Sequence, residues 1–286
     1  MIAKLGDADS GGSVAVAEPA QSVDLRTDVA HSARMYDWYL GGKDNFPADR
    51  VAGEKVREVL PAVPQSAVQN RAFLVRATRF LAREAGIRQF LDIGTGIPTR
   101  PNLHEVAQGV APEARIVYAD NDPIVLAHAR ALLTSTPEGR TAYLDADVRD
   151  PERILASPEV LETLDLTRPV GLSLVAILHF VDDEDGAYDI VRQLMAALPA
   201  GSYLTLSCLT ADFDPGPVKT AVGVYHAQGL TCVARPHAAT LRFFDGLEVV
   251  APGLTPTHLW RPDDLAPSPE AIAGGNIIYG AVARKP

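Results

Sequence analysis

The chain has 286 residues, 47% hydrophobic and 22% charged, the proportions of a globular protein rather than of collagen, a disulfide scaffold or a disordered chain. Lys and Arg number 26 against 36 Asp and Glu, and no basic cluster interrupts the formal charge of -10, so nucleic acid is excluded as the expected partner. Cys208 and Cys232 show neither metal-ligand spacing nor a disulfide framework, which suits a reducing compartment and gives no metal site.

Residues 1–24 contain no long apolar repeat and read as a flexible tail. Met1 to Glu18 lack the basic-then-apolar pattern of a secretory signal, so a cytoplasmic location is expected. Residues 25–86 read as an N-terminal helical lid. There Ala33, Met35, Tyr36, Trp38, Tyr39 and Leu40 lead into Gly41-Gly42-Lys43-Asp44-Asn45. An aromatic turn that ends in paired glycines suits a pocket wall, where bare backbone approaches a ligand; it also suits a packed helix with a glycine stop. Phe73, Ala77, Phe80, Leu81 and Ala85 recur at helical spacing, predicting an amphipathic helix from Ser66 to Ala85 that Gly86 stops.

From residue 87 onward, strands alternate with helices. Strands are expected at Ile87–Ile93, Arg115–Ala119, Thr141–Leu144, Val170–Leu178 and Ser202–Leu206, and helices at Pro101–Gly109, Pro123–Leu133 and Ala187–Leu198. Leu247–Val250 and Ile277–Ala283 are candidate closing strands. This alternation specifies an α/β fold, a mostly parallel sheet with helices on both faces. The mostly apolar run Leu172 to Val181 covers roughly 10 residues, short of the roughly 18 a membrane span needs, and reads as a buried strand.

In such a sheet, ligands gather at the carboxyl ends of the strands. The first strand ends in Asp92-Ile93-Gly94-Thr95-Gly96, a glycine turn that lets backbone pass beneath a ligand, with Asp92 able to accept from loop amides or a ligand ammonium. The second ends in Asp120, about where an acidic residue meets ribose hydroxyls in nucleotide folds. Asp122-Pro123 reads as a helix N-cap followed by proline at the first helical position. The third runs into Asp145-Ala146-Asp147-Val148, where Asp145 or Asp147 either accepts from an exocyclic amine such as adenine's or is a solvated loop residue. A pyrophosphate-binding turn would place a third glycine at Thr99, and acidic tips would repel phosphates. A cationic nucleoside without phosphate fits better, and S-adenosylmethionine has that description.

Phe90 to Thr99, Val117 to Pro123 and Asp145 to Asp150 resemble the first three motifs of class I S-adenosylmethionine-dependent methyltransferases. Ala33-Arg34-Met35-Tyr36-Asp37, Leu40 to Phe46, Asn70-Arg71-Ala72-Phe73-Leu74, Pro101 to Val106, Leu178 to Val181 and Arg242 to Leu247 resemble, more narrowly, an actinobacterial methyltransferase-like family long labelled a domain of unknown function. The resemblance implies a Rossmann-like, seven-stranded sheet with the last strand antiparallel, and a cofactor-binding domain over residues 87–286. It also implies a cofactor set of Asp92, Gly94, Thr95, Gly96, Asp120, Asn121, Asp147 and Val148, joined by Arg34 and Gly42 from the lid. Pro98 departs from the general pattern, which often has glycine there.

Methyl transfer from an activated sulfonium needs alignment and exclusion of water more than acid-base chemistry, and no metal. His179, after the fourth strand, is the candidate base; it could equally be packed at the strand end or bonded to Asp182 or Asp183. Tyr36 and Asp37 are weaker candidates from the lid. His104, His128, His226 and His258 read as surface or helix histidines, and the cysteines as buried packing residues. The segment Asp212 to Thr240 either walls the acceptor pocket or serves as scaffold. The leading expectation is a methyltransferase acting on a small molecule, without nucleic acid or membrane partners. A non-catalytic S-adenosylmethionine-binding regulator is the alternative, and a nicotinamide-dependent oxidoreductase a third, which the missing glycine disfavours.

Overall fold

In the computed structural model, the described residues are 25–132, 134–263 and 277–286, so the expected tail at 1–24 lies outside them. The chain opens with α1 (Ser32–Tyr39), α2 (Pro47–Val59) and α3 (Val63–Arg83). There follow β1 (Gln89–Ile93), α4 (Leu103–Gln108), β2 (Arg115–Asp120), α5 (Pro123–Leu132) and β3 (Arg140–Asp145). Next come α6 (Pro151–Ala156), α7 (Pro158–Thr163), β4 (Gly171–Val175), α8 (Ala187–Ala196) and β5 (Tyr203–Leu209). The C-terminal part holds α9 (Pro215–Ala227), α10 (His237–Leu241), β6 (Glu248–Val249), β7 (Thr255–Pro256) and β8 (Ile278–Arg284).

The strands lie in the order β3-β2-β1-β4-β5-β8-β6, with β8 antiparallel to β5. The seven expected strands are joined by β7, two residues that pair with β8. The inner strands are buried along nearly their whole length, as a sheet covered on both faces requires, and successive side chains enter opposite cores. Leu91 and Ile93 of β1, with Val117 and Ala119 of β2, enter one core with Ile154, Val160 and Leu194 of the helices on that side. Phe90, Ile116 and Tyr118 enter the other, with Phe73, Ala77 and Leu81 of α3 and the fully buried Trp260. The expected amphipathic helix is therefore α3, and its apolar stripe lies on the sheet.

Helices α1 and α2 form a third core. Met35, Tyr39, Ala52, Val56 and Leu60 pack with Val218 and Ala221 of α9, with Cys232, and with Leu209 and Ile278 where β5 ends and β8 begins. This places the N-terminal helices over the carboxyl ends of the parallel strands. Helices α2 and α9 had no clear sequence signal. The Gly53 interruption blurs the stripe of α2, and Pro215, Gly216 and Pro217 read as a loop, although proline is tolerated in a first helical turn. Cys208 and Cys232 are buried free thiols, as expected.

Candidate functional site

The strand order reverses between β1 and its neighbours β2 and β4, and at that switch point a cavity of about 270 Å³ opens. The structure brings Asp92, Gly94, Thr95, Gly96, Asp120, Asn121, Asp147 and Val148 together around it. The glycine turn is built by closing β1 onto β2: Gly94 N–H donates to the Ala119 carbonyl at 2.8 Å, and Gly96 N–H to Asp120 Oδ2 at 2.8 Å. Gly94 and Gly96 have φ of +73° and +68°, the left-handed region where a side chain is strained. A Cβ on Gly94 would also lie 2.7 Å from Ile177, whereas one on Gly96 would meet no protein atom within 4 Å. The turn is therefore packed behind Gly94 and bare at Gly96.

Asp120 receives Asp122 N–H on Oδ1 at 2.9 Å, so each carboxylate oxygen holds one backbone donor and keeps acceptor capacity for a ligand. Burial pushes its pKa up, as it does for Asp92, which reaches about 6 while the nearby Arg71 charge pulls it back. Asn121 Nδ2 donates to Asp147 Oδ2 at 3.0 Å and ties the tips of β2 and β3 together. Of the two acidic candidates after β3, Asp147 lines the cavity, and the Asp145 carbonyl instead accepts from Arg153. Beyond β4, Ala176 adopts φ +58°, a strained conformation at a cavity wall. Gly229, Leu230 and Thr231 also line the cavity, so the segment after β5 does wall it.

The family model described as S-adenosyl methyltransferase matches residues 18–286. The chain belongs to that family. A DUF574 family protein from Streptomyces avermitilis MA-4680 is 54% identical over 92% of this chain and 100% of its own, with a TM-score of 0.89. A candidate methyltransferase from Thermobifida fusca YX is 41% identical over 91% of this chain and 97% of its own, with a TM-score of 0.84. The magnesium protoporphyrin IX methyltransferase of Synechocystis PCC 6803, solved with bound S-adenosylhomocysteine, is 13% identical over 78% of this chain and 87% of its own; its TM-score of 0.50 speaks to the fold alone. A search of the curated proteins finds no match. Membership makes this protein an S-adenosylmethionine-dependent methyltransferase of the class I fold.

Several side chains of this methyltransferase lie elsewhere than expected. His179 does not line the cavity: it is 8% exposed, its Nδ1 has no partner, and its ring packs on Phe180 with centroids 4.3 Å apart. Burial, helped by the Arg235 charge, lowers its pKa to about 3. Asp183 pairs with Arg235, 2.6 Å away, rather than with His179. The candidate base is thus a neutral packed imidazole, because the 3-10 turn Leu178–Phe180 carries it inward and Phe180 takes the cavity wall.

Tyr36 does line the cavity, but its hydroxyl donates to the Ala67 carbonyl at 3.0 Å and accepts from Asn70 Nδ2 at 3.0 Å. Burial raises its pKa, and its hydroxyl is engaged both as donor and as acceptor within the chain. Arg34, expected at the cofactor, is 2% exposed and turned away from the cavity. Its Nε and Nη2 form a two-pronged pair with Asp122 at 2.7 and 2.8 Å, and the guanidinium also holds the carbonyls of Leu25 and Arg26. Asp122 still caps α5, accepting from Ile124 N–H at 2.9 Å. Gly42 also lies off the cavity. A Cβ there would overlap the Asp37 carboxylate, which gathers the loop between α1 and α2 by accepting from Asp44 N–H and Asn45 Nδ2.

Of the histidines read as surface or helix residues, His104 lies in α4 and His258 in the 3-10 turn Thr257–Leu259; both are buried, and His104 is bonded to the Tyr118 hydroxyl. Sequence reasoning did not assign His31, Asn70, Arg71 or Arg149 to the site, yet all four line the cavity. The periodicity of α3 could have pointed to Asn70 and Arg71, polar neighbours ahead of the apolar stripe that begins at Phe73. No local signal marks His31 or Arg149.

Proposed function

We propose that this methyltransferase acts on a small-molecule acceptor in the cytoplasm, and that the three strand tips hold S-adenosylmethionine. In this reading Asp120 accepts from the ribose hydroxyls, supported beside it by Asn121. Asp147 and Val148 border the adenine, and the bare Gly94-Thr95-Gly96 turn passes beneath the donor. Asp92 faces the ammonium end. The observation that carries the reading is Asp120, a buried carboxylate whose two oxygens are oriented by backbone donors and retain lone pairs toward the cavity. No helix among the described residues is long and apolar enough to cross a membrane.

The bound donor would supply a methyl group already activated by positive sulfur. The chain's own task is then to align the acceptor and keep water out. Tyr36, Leu74, Ile177, Phe180 and Leu230 give the cavity apolar wall on the side of the lid and the post-β5 segment. With the Tyr36 proton committed to Ala67 and His179 turned inward, neither takes a proton from the acceptor; in this reading the proton leaves to solvent. Calorimetry with S-adenosylhomocysteine tests the reading. The wild type binds, and Asp120→Ala loses affinity by on the order of tenfold or more, the usual effect of deleting hydrogen bonds to a charged acceptor. Unchanged affinity in the variant removes the ribose assignment.

A further inference from the structure

Asn70 and Arg71 are consecutive on α3, both line the cavity, and each leaves one buried polar atom without a partner in the chain: Asn70 Oδ1 and Arg71 Nε. The Asn70 side chain is held in one orientation. The single Tyr36 hydroxyl proton goes to the Ala67 carbonyl, so the Tyr36 oxygen accepts from Asn70 Nδ2, and Oδ1 is left as a free acceptor in a residue only 1% exposed. Arg71 is anchored as well. Its Nη2 donates to the carbonyls of Thr99 and Pro101, which fixes the guanidinium and leaves the Nε–H unspent. Its positive charge acts on the Asp92 carboxylate, which lines the same cavity.

Unsatisfied buried polar atoms are costly, and a donor and an acceptor side by side specify what would satisfy them. A phosphate or simple carboxylate would serve Arg71 but set an anion against Asn70 Oδ1. An amine alone would serve Asn70 but meet the Arg71 charge. A zwitterion, with an anionic acceptor and a cationic donor on one carbon, serves both.

We propose that Asn70 and Arg71 form a clamp for an α-amino-acid group, Arg71 Nε donating to its carboxylate and Asn70 Oδ1 accepting from its ammonium. The clamp rests on the proposed cofactor site, since S-adenosylmethionine carries such a group, and it makes α3 the element that reads the amino-acid tail. Asn70 is therefore a binding residue, and Tyr36 is a positioning residue that acts through it.

The test measures three ligands by calorimetry: S-adenosylhomocysteine, its decarboxylated form, and methylthioadenosine, which has no amino-acid tail. Arg71→Ala weakens S-adenosylhomocysteine on the order of ten- to a hundredfold and leaves the decarboxylated form nearly unchanged. Arg71→Lys, which keeps the charge, recovers part of the loss. Asn70→Ala weakens both ammonium-bearing ligands by about tenfold, and neither variant alters methylthioadenosine, whose retained binding also shows that the fold is intact. Equal losses on all three ligands, or no loss on S-adenosylhomocysteine, overturn the clamp while leaving the cofactor site standing. A wild type that binds none of the three overturns the cofactor site itself, and the clamp falls with it.

Discussion

The N-terminal helix α1 is joined to the end of β2 by a buried ion pair, and its removal has a calculable consequence. Arg34 and Asp122 are 2% and 0% exposed, and the guanidinium meets both carboxylate oxygens at 2.7 and 2.8 Å. Arg34→Met deletes the guanidinium and leaves the buried Asp122 carboxylate with the Ile124 amide and the partly exposed His31 ring, 3.3 Å away, as its remaining partners. Removing one member of a buried pair typically costs about 3–5 kcal/mol, because the remaining charge loses its counter-ion. For a domain of this size each kcal/mol lowers Tm by about 2–4 °C, so a fall of roughly 6–20 °C is expected. Asp122→Asn keeps the cap on Ile124 and removes the anion instead, stranding Arg34. The double variant buries two neutral groups and should recover part of the summed loss, a coupling of about 1–3 kcal/mol. Urea unfolding of the four proteins, followed by fluorescence and circular dichroism, measures this cycle. Single variants that each cost less than about 1 kcal/mol, or a double variant equal to the sum of the singles, would refute the latch.

Two further outcomes follow from the strand tips. Burial pushes the Asp92 pKa up to about 6 from its ordinary value of 3.8, so the folded state binds more protons between those values and stability falls as pH rises from about 4 to about 6. Asp92→Asn should therefore stabilise the ligand-free protein at pH 7 by up to about 3 kcal/mol, with the gain vanishing below about pH 4; a pH series of urea midpoints checks it, and a gain independent of pH would contradict the assignment. Gly94→Ala meets both a left-handed φ and the Ile177 side chain, whereas Gly96→Ala meets only the former. Thermal unfolding should show Gly96→Ala costing about 1–2 kcal/mol and Gly94→Ala clearly more; the reverse order would refute the packing described for the turn.

Both perturbations act on what the sequence made visible. Alternating apolar runs and amphipathic helices are local patterns, and they sufficed to place β1 to β5, α3, α5, α8 and, as a candidate, β8, whose antiparallel direction only the family resemblance implied, because side-chain period is set by backbone geometry over a few residues. Acidic residues at the ends of β1 and β2, and past the end of β3, are equally local, since a parallel sheet carries all its strand ends to one edge. The sequence alone therefore groups Asp92, Asp120 and Asp147, and all three line the cavity. Helices α6, α7, α9 and α10 escaped notice because they are short or rich in proline and glycine, and packing rather than pattern holds them.

What the chain order could not express is direction and distance. Arg34 and Asp122 stand 88 residues apart, and only the docking of α1 beside the start of α5 turns a residue expected at the cofactor into an ion-pair partner. His179 stands one residue before the cavity wall at Phe180, yet the 3-10 turn rotates its ring into the interior, where burial removes its basicity. Arg71 of α3 and residues 229–231 after α9 reach the same cavity from segments far apart in the chain. Sequence determined the sheet, its edge of carboxylates and the glycine turn, since these depend on neighbours along the chain. Tertiary packing decided which side chains face the cavity and which are spent on contacts within the fold, since burial and partner choice are set by elements that meet only after folding.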